Sequence, residues 1–251
     1  YTETKARVAM NQTKEQMCVL NYEDERLQQV AKNMSADVFW FSSARELERG
    51  IFLRGEEIVC RDGEEITLCN IHDLKLLGMH NYENVMAAAA IAHGMNVPWD
   101  VIRKVVCEFQ AVPHRIEFVK EVNGVKYYND SKGTNPDAAI KAVEAMVRPT
   151  IVIGGGYDKE SVYDEWIASF GTKVKSLVLL GQTADKIAEA AAKAGFTAVT
   201  KVDSLEEAVA ECARQAQDGD AVLLSPACAS WGMFKNFEER GDLFKEYVKK
   251  L

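Results

Sequence analysis

Between Tyr128 and Pro136 the chain reads Asn129-Asp130-Ser131-Lys132-Gly133-Thr134-Asn135, setting an acid, a cation, two hydroxyls and two amides between an apolar strand pattern and a helical one. The first-turn amides of a helix favour a bound anion, and a lysine adds a point charge to them. Thr134 or Asn135 can cap that helix with Pro136 near its first turn. A well-made turn and cap accounts for the same residues without any ligand.

Two further loops carry groups of this kind. Gly154-Gly155-Gly156-Tyr157-Asp158-Lys159 follows an apolar run; its glycines let a ligand approach the backbone, and Lys159 can supply charge. A tight turn explains it equally, and it does not match the GxGxxG dinucleotide pattern. Residues 225–241 place Ser230 where its hydroxyl can either meet a carboxylate or cap the last helix, with Trp231, Phe234 and Phe237 expected in the core. Cys228 has no histidine partner in sequence and reads as a buried thiol. His114 and Arg115 follow Pro113 at a change of pattern, where a guanidinium fork can hold phosphate. His80, Asn81 and Asn84 open a helix, either as caps or as amides that read a base edge.

The elements that must carry these loops follow from periodicity. Residues 1–111 read as mixed structure: a polar helix, strands at Met17 to Asn21 and Asp37 to Phe41, short strands near Ile51, Ile58 and Ile66, then a helix with Asn81 as its cap and a second opened by Pro98. Residues 112–251 form a second domain. Strands at Ile116 to Val122 and Val125 to Tyr128 meet at an Asn-Gly turn, the strongest short hairpin signal. Apolar runs at Thr150, Leu177, Ala198 and Ala221 then alternate with amphipathic helices, the pattern of βαβ units on a largely parallel, Rossmann-like sheet. Ligands of such α/β sheets sit at the carboxyl ends of strands, where all three loops lie.

Composition narrows the class. A net charge of -8 disfavours a nucleic-acid surface, and 47% hydrophobic with 27% charged residues is an ordinary folded composition. Six cysteines without a CxxC pair suggest neither a zinc ribbon nor a disulfide framework, which fits a cytoplasmic protein. No apolar run reaches membrane length, and no GxxxxGK[ST] phosphate loop occurs.

Taken in order, HNYEN at 80–84, PHRIE at 113–117, NDSKGTNPDA at 129–138 and LLSPACASWGMFKNFEERG at 223–241 resemble the UDP-N-acetylmuramoylalanine D-glutamate ligase family, within the Mur ligases. The segment from Tyr1 through NQT at 11–13 to VLNYED is similar to the family stretch holding a carbamylated lysine, which falls on Lys5. The resemblance implies a partial central α/β domain over 1–111 and a D-glutamate-binding domain over 112–251. It implies ATP and Mg2+ as cofactors, and UDP-N-acetylmuramoyl-L-alanine and D-glutamate as substrates of a monomer. By similarity Asn81 and Asn84 would contact adenine, Asp130 the ribose, and Arg115 the phosphates with His114 in support. Lys132 would neutralise anions, and Thr134, Lys159, Ser230 and Phe237 would bind D-glutamate across a gap from Arg115. Lys5 would serve magnesium only as its carbamate, since a bare ammonium repels a cation.

The sequence departs from the family at GGGYDK, where some relatives carry GGDGK. The resemblance starts partway into the central domain, so this stretch alone is expected to be inactive. Another Mur or folylpolyglutamate synthase-like ligase, or a catalytically silent binding module, are the alternatives; a Rossmann oxidoreductase is disfavoured by the missing GxGxxG.

Overall fold

The computed structural model describes residues 2–251, with side chains from Thr4 onward. Contacts divide the chain into two compact units, Tyr1–Gln110 and Ala111–Leu251.

In the first unit a short helix α1 (Thr2–Ala6) precedes β1 (Met17–Asn21), α2 (Glu25–Ala31), β2 (Asp37–Ser42), β3 (Gly50–Arg54), β4 (Glu57–Asp62) and β5 (Glu64–Asn70), then α3 (Met79–Gly94) and α4 (Trp99–Glu108). The strands lie in sequence order; β1 to β3 are parallel, and β3, β4 and β5 antiparallel. Phe39, Ile51, Phe52, Ile58, Val59 and Leu68 are fully buried from the sheet, and α3 lies along β1 to β3 with Val85, Met86, Ala89 and Ala90 buried. The helix α2 is an addition to the expected elements. Its stretch is too polar to announce itself by periodicity, and Asp24 initiates it by accepting from the Arg26 and Leu27 amides.

In the second unit β6 (Glu117–Val122) and β7 (Val125–Asn129) form a hairpin through Asn123 and Gly124, both at positive φ (50° and 78°), as the predicted Asn-Gly turn requires. Then follow α5 (Pro136–Ala145), β8 (Thr150–Gly154), α6 (Asp164–Ala168), β9 (Val174–Leu179), α7 (Ala184–Lys193), β10 (Val199–Lys201), α8 (Leu205–Gln215), β11 (Ala221–Leu224) and α9 (Phe237–Lys249). The order is β10-β9-β8-β11-β7-β6, parallel except for the edge strand β6. Every residue of β8 and β11 is buried, as expected of central parallel strands covered on both faces. The chain runs outward from β8 through β9 to β10 and returns to insert β11 between β8 and β7. That reversal places the loops after β7, β8 and β11 side by side, at the kind of crevice where α/β sheets bind ligands.

Candidate functional site

The loops after β7 and β11 are stitched together below the surface. The Asp130 amide donates to Leu224 O at 2.7 Å, and the Ser225 hydroxyl to Asp130 Oδ2 at 2.8 Å. Arg240, on the first turn of α9 and only 2% exposed, donates through Nε to the Ser131 hydroxyl at 2.9 Å and through Nη2 to Ser131 O at 2.8 Å. Its Nη1 reaches Cys228 O at 3.2 Å, so one planar fork ties both loops to the last helix. Burial lowers its pKa to about 10, which still leaves it charged at neutral pH. Ser131 in turn donates to Phe237 O at 2.8 Å.

The glycine-rich loop after β8 is pressed onto the same neighbours. Gly155 N–H donates to Pro226 O and Tyr157 N–H to Ala229 O, both at 2.9 Å. A Cβ on Gly155 would lie 2.1 Å from Leu180 O, and one on Gly156 2.4 Å from Ala229 O, with both residues at positive φ. The run of glycines is therefore required by close packing of backbone on backbone. Thr183, on the turn before α7, donates its hydroxyl to the Gly156 carbonyl and accepts from the Gly156 amide.

The segment Pro113 to Glu117 is locked onto the loop after β7. His114 (φ 65°) and Ile116 (φ 45°) both adopt left-handed conformations, a strained arrangement for a β-branched residue. It is held by Lys132 N–H donating to His114 O at 3.0 Å, Ile116 N–H to Asp130 Oδ1 at 3.3 Å, and the Asn129 amide against His114 Nδ1 at 3.1 Å. Arg115, between the two strained residues, is exposed. Asp130 is enclosed by these contacts, and burial raises its carboxyl to about 7 despite the hydrogen bonds it accepts.

Of the residues singled out from sequence, His114, Asp130, Ser230 and Asn81 are buried, whereas Lys5, Asn84, Arg115, Lys132 and Lys159 are exposed. Thr134 ends the stitched loop, half-buried, and the cap of α5 is Asn135, which accepts from the Ala138 amide. The Lys132 ammonium lies 5.7 Å from the centre of the Phe237 ring, and that ring meets His114 edge-on. Ser230 is 3% exposed, and among the described residues its hydroxyl has no hydrogen-bond partner. The Lys159 ammonium lies 4.4 Å from the ring centre of Trp231, the residue after Ser230.

Three expectations need correction. Ser230 does not cap the last helix; Asn236 does, accepting from the Glu239 amide. Trp231 is 54% exposed, because the loop turns outward before α9 begins, so it is not a core residue. Asn81 lies inside α3, which starts at Met79 after Gly78. Its amide donates to Leu77 O at 2.7 Å, and Asn84 stands three residues on along the same helix face. Asp158, beside the departure at Tyr157, pairs with Lys186 of α7 at 3.1 Å.

Sequence reasoning missed Arg240, Ser225 and Asn129, because each works through a partner roughly 15 to over 100 positions away in the chain. The signal available for Arg240 was an arginine set in the first turn of a helix beside a glycine. Lys5 lies on α1, and as an ammonium it offers no lone pair. Among the described residues no three His, Cys, Asp or Glu side chains gather to hold a metal, so these residues do not by themselves fit a magnesium ion. Nor is any helix among them long and apolar enough to cross a membrane.

Comparison with known proteins agrees with this architecture. The Mur ligase middle domain matches residues 1–92, and the Mur ligase, glutamate ligase domain matches residues 114–228. UDP-N-acetylmuramoylalanine--D-glutamate ligase of Lachnoclostridium phytofermentans is 58% identical over all of this chain, and that of Lachnospira eligens 54%. In each case the chain spans 56% of the relative's length. MurF ligase of Thermotoga maritima, solved in complex with ADP, superposes with TM-score 0.62 at 16% identity, over 99% of this chain and 57% of that one. Folylpolyglutamate synthase of Mycobacterium tuberculosis superposes with TM-score 0.63 at 14% identity, over 91% and 55%. With stitched strand-end loops built on these two matched domains, the chain belongs to the Mur ligase family.

Proposed function

We propose that this chain is the adenine-binding and amino-acid-binding part of a ligase that joins D-glutamate to UDP-N-acetylmuramoyl-L-alanine at the expense of ATP. The observation that carries this reading is Ser230, a residue 3% exposed whose hydroxyl makes no hydrogen bond among the described residues, on a loop stitched to two others, with the Lys159 ammonium on the adjoining Trp231. A hydroxyl and an ammonium suit a carboxylate, and relatives at 58% and 54% identity are named as D-glutamate ligases. In this reading Thr134, Lys159, Ser230 and the first-turn amide of Phe237 hold the two carboxylates of D-glutamate.

By the family resemblance Asn81 and Asn84 would serve adenine, Asp130, enclosed in this structure, the ribose, and Arg115 with His114 in support the nucleotide phosphates, while Lys132 would offset negative charge. The substrate carboxylate attacks the γ-phosphorus, its bond to the β,γ-bridging oxygen breaks, and ADP leaves an acyl phosphate. The D-glutamate amine then attacks the acyl carbon, losing a proton as inorganic phosphate departs. Magnesium, when bound, would damp the charge on the phosphate oxygens, and the carbamate of Lys5 would offer it one oxygen. We place the protein in the cytoplasm, as a monomer acting on small molecules with no nucleic-acid or membrane partner.

The test is an amino-acid panel with the full-length protein, ATP and UDP-N-acetylmuramoyl-L-alanine, read as phosphate release. D-glutamate should be strongly preferred, and preferential turnover of another amino acid would sink the assignment. Ser230→Ala should raise the D-glutamate KM by roughly tenfold or more, the worth of one hydrogen bond to a charged group. Residues 1–251 alone should release no phosphate, because phosphoryl transfer depends on positioned charge and the sequence has no phosphate loop.

A further inference from the structure

Trp231 and Tyr157 are large aromatic residues left 54% and 40% exposed on two loops that are otherwise closely packed. Their rings meet edge to face at 5.6 Å. The approach is fixed by backbone: the Tyr157 amide donates to Ala229 O at 2.9 Å, which makes a short antiparallel bridge between the loops after β8 and β11. The ammonium of Lys159 sits over the indole face, 4.4 Å from its centre. A lysine on a flexible four-carbon stem has many rotamers in water, and seating its charge on an aromatic face removes most of them. Trp231 also directly follows Ser230, so the seat and the unpartnered hydroxyl are fixed by one short stretch of backbone.

We propose that Trp231 is a positioning residue: with Tyr157 bracing it, its indole face holds the Lys159 ammonium beside Ser230, ready for the carboxylate of the incoming amino acid. The inference rests on the reading of Lys159 and Ser230 given above and assigns Trp231 a part in substrate affinity. It also gives Tyr157, the departure from the acidic residue of some relatives, a role as the brace of that seat. Trp231 touches no reacting atom. Its effect passes through Lys159.

The test is steady-state kinetics on the full-length protein with Trp231→Leu, Trp231→Phe, Lys159→Met and the double variant Lys159→Met/Trp231→Leu. Trp231→Leu should raise the D-glutamate KM roughly three- to tenfold, leaving kcat and the ATP KM unchanged, and Trp231→Phe should restore most of the affinity because it keeps an aromatic face. In the Lys159→Met background Trp231→Leu should change nothing further. Trp231→Leu acting with equal force in that background would overturn the proposal, since its effect would then not pass through Lys159. So would an unchanged KM in Trp231→Leu alongside a raised one in Lys159→Met. If Lys159→Met itself leaves the D-glutamate KM unaltered, the carboxylate role of Lys159 falls, and the seat falls with it.

Discussion

Arg240 grips Ser131 at two points, its Nε on the hydroxyl at 2.9 Å and its Nη2 on the backbone carbonyl at 2.8 Å, while its third nitrogen reaches Cys228 O. A buried fork of this kind has no equivalent among other side chains, because an ammonium cannot satisfy three acceptors in one plane. Arg240→Lys should therefore destabilise the protein by about 2–4 kcal/mol, as buried carbonyls at Ser131 and Cys228 lose their donors. Chemical denaturation followed by circular dichroism measures this, and a loss below about 0.5 kcal/mol would show that the loops are held by other means.

The residue after Arg240 is constrained from the other side. A Cβ on Gly241 would fall 2.2 Å from His114 Nδ1 and 3.0 Å from the Asn129 side-chain amide. Gly241→Ala must displace the His114 ring and the Asn129 side-chain amide, which meet each other at 3.1 Å in a buried contact. The expected cost is about 1–3 kcal/mol, against the gain of a few tenths to 1 kcal/mol that Gly→Ala brings to an unconstrained helix position. Thermal unfolding of the variant gives the sign directly.

Asp130 gives the protein a pH-dependent weakness. Burial raises its carboxyl from the usual carboxylate range to about 7, so between about pH 4 and pH 7 the folded state binds a proton that the unfolded state has released. Stability from this group is highest below that window and falls as pH rises through it, by up to about 1.4 kcal/mol per unit. Asp130→Asn cannot ionise and should flatten the slope. Denaturant midpoints of the two proteins should lie closer together at pH 5 than at pH 7.5; a gap that does not change with pH would refute the account.

The thiols should sort by burial. Cys60, Cys69, Cys212 and Cys228 are buried, whereas Cys18 and Cys107 are partly open. Burial pushes the Cys60 and Cys69 thiols up to about 12, and raises Cys228 as well although Tyr163 and Thr183 lie at 3.1 and 3.2 Å from its sulfur. Thiolate is the reactive form, so a maleimide should add to Cys18 and Cys107 in the native protein and to all six only after denaturation. Peptide mapping of the adducts decides; rapid native labelling of Cys228 would contradict the buried network.

By itself the sequence determined the order and type of nearly every element, since strand and helix periods are local and the Asn123-Gly124 turn is specified by its own backbone preferences. It also set NDSKGTN, GGGYDK and SPACAS apart as strand-end loops dense in polar residues and glycine, and the structure packs the three side by side. What it left open was which groups meet. That Arg240 would clasp Ser131, that Gly241 must leave room for His114, and that Lys159 would rest on an exposed Trp231 depend on strand order, above all the insertion of β11 between β8 and β7. Periodicity constrains a residue against neighbours a few positions away; contacts across 100 positions are chosen by packing the whole sheet, and only the tertiary structure fixes them.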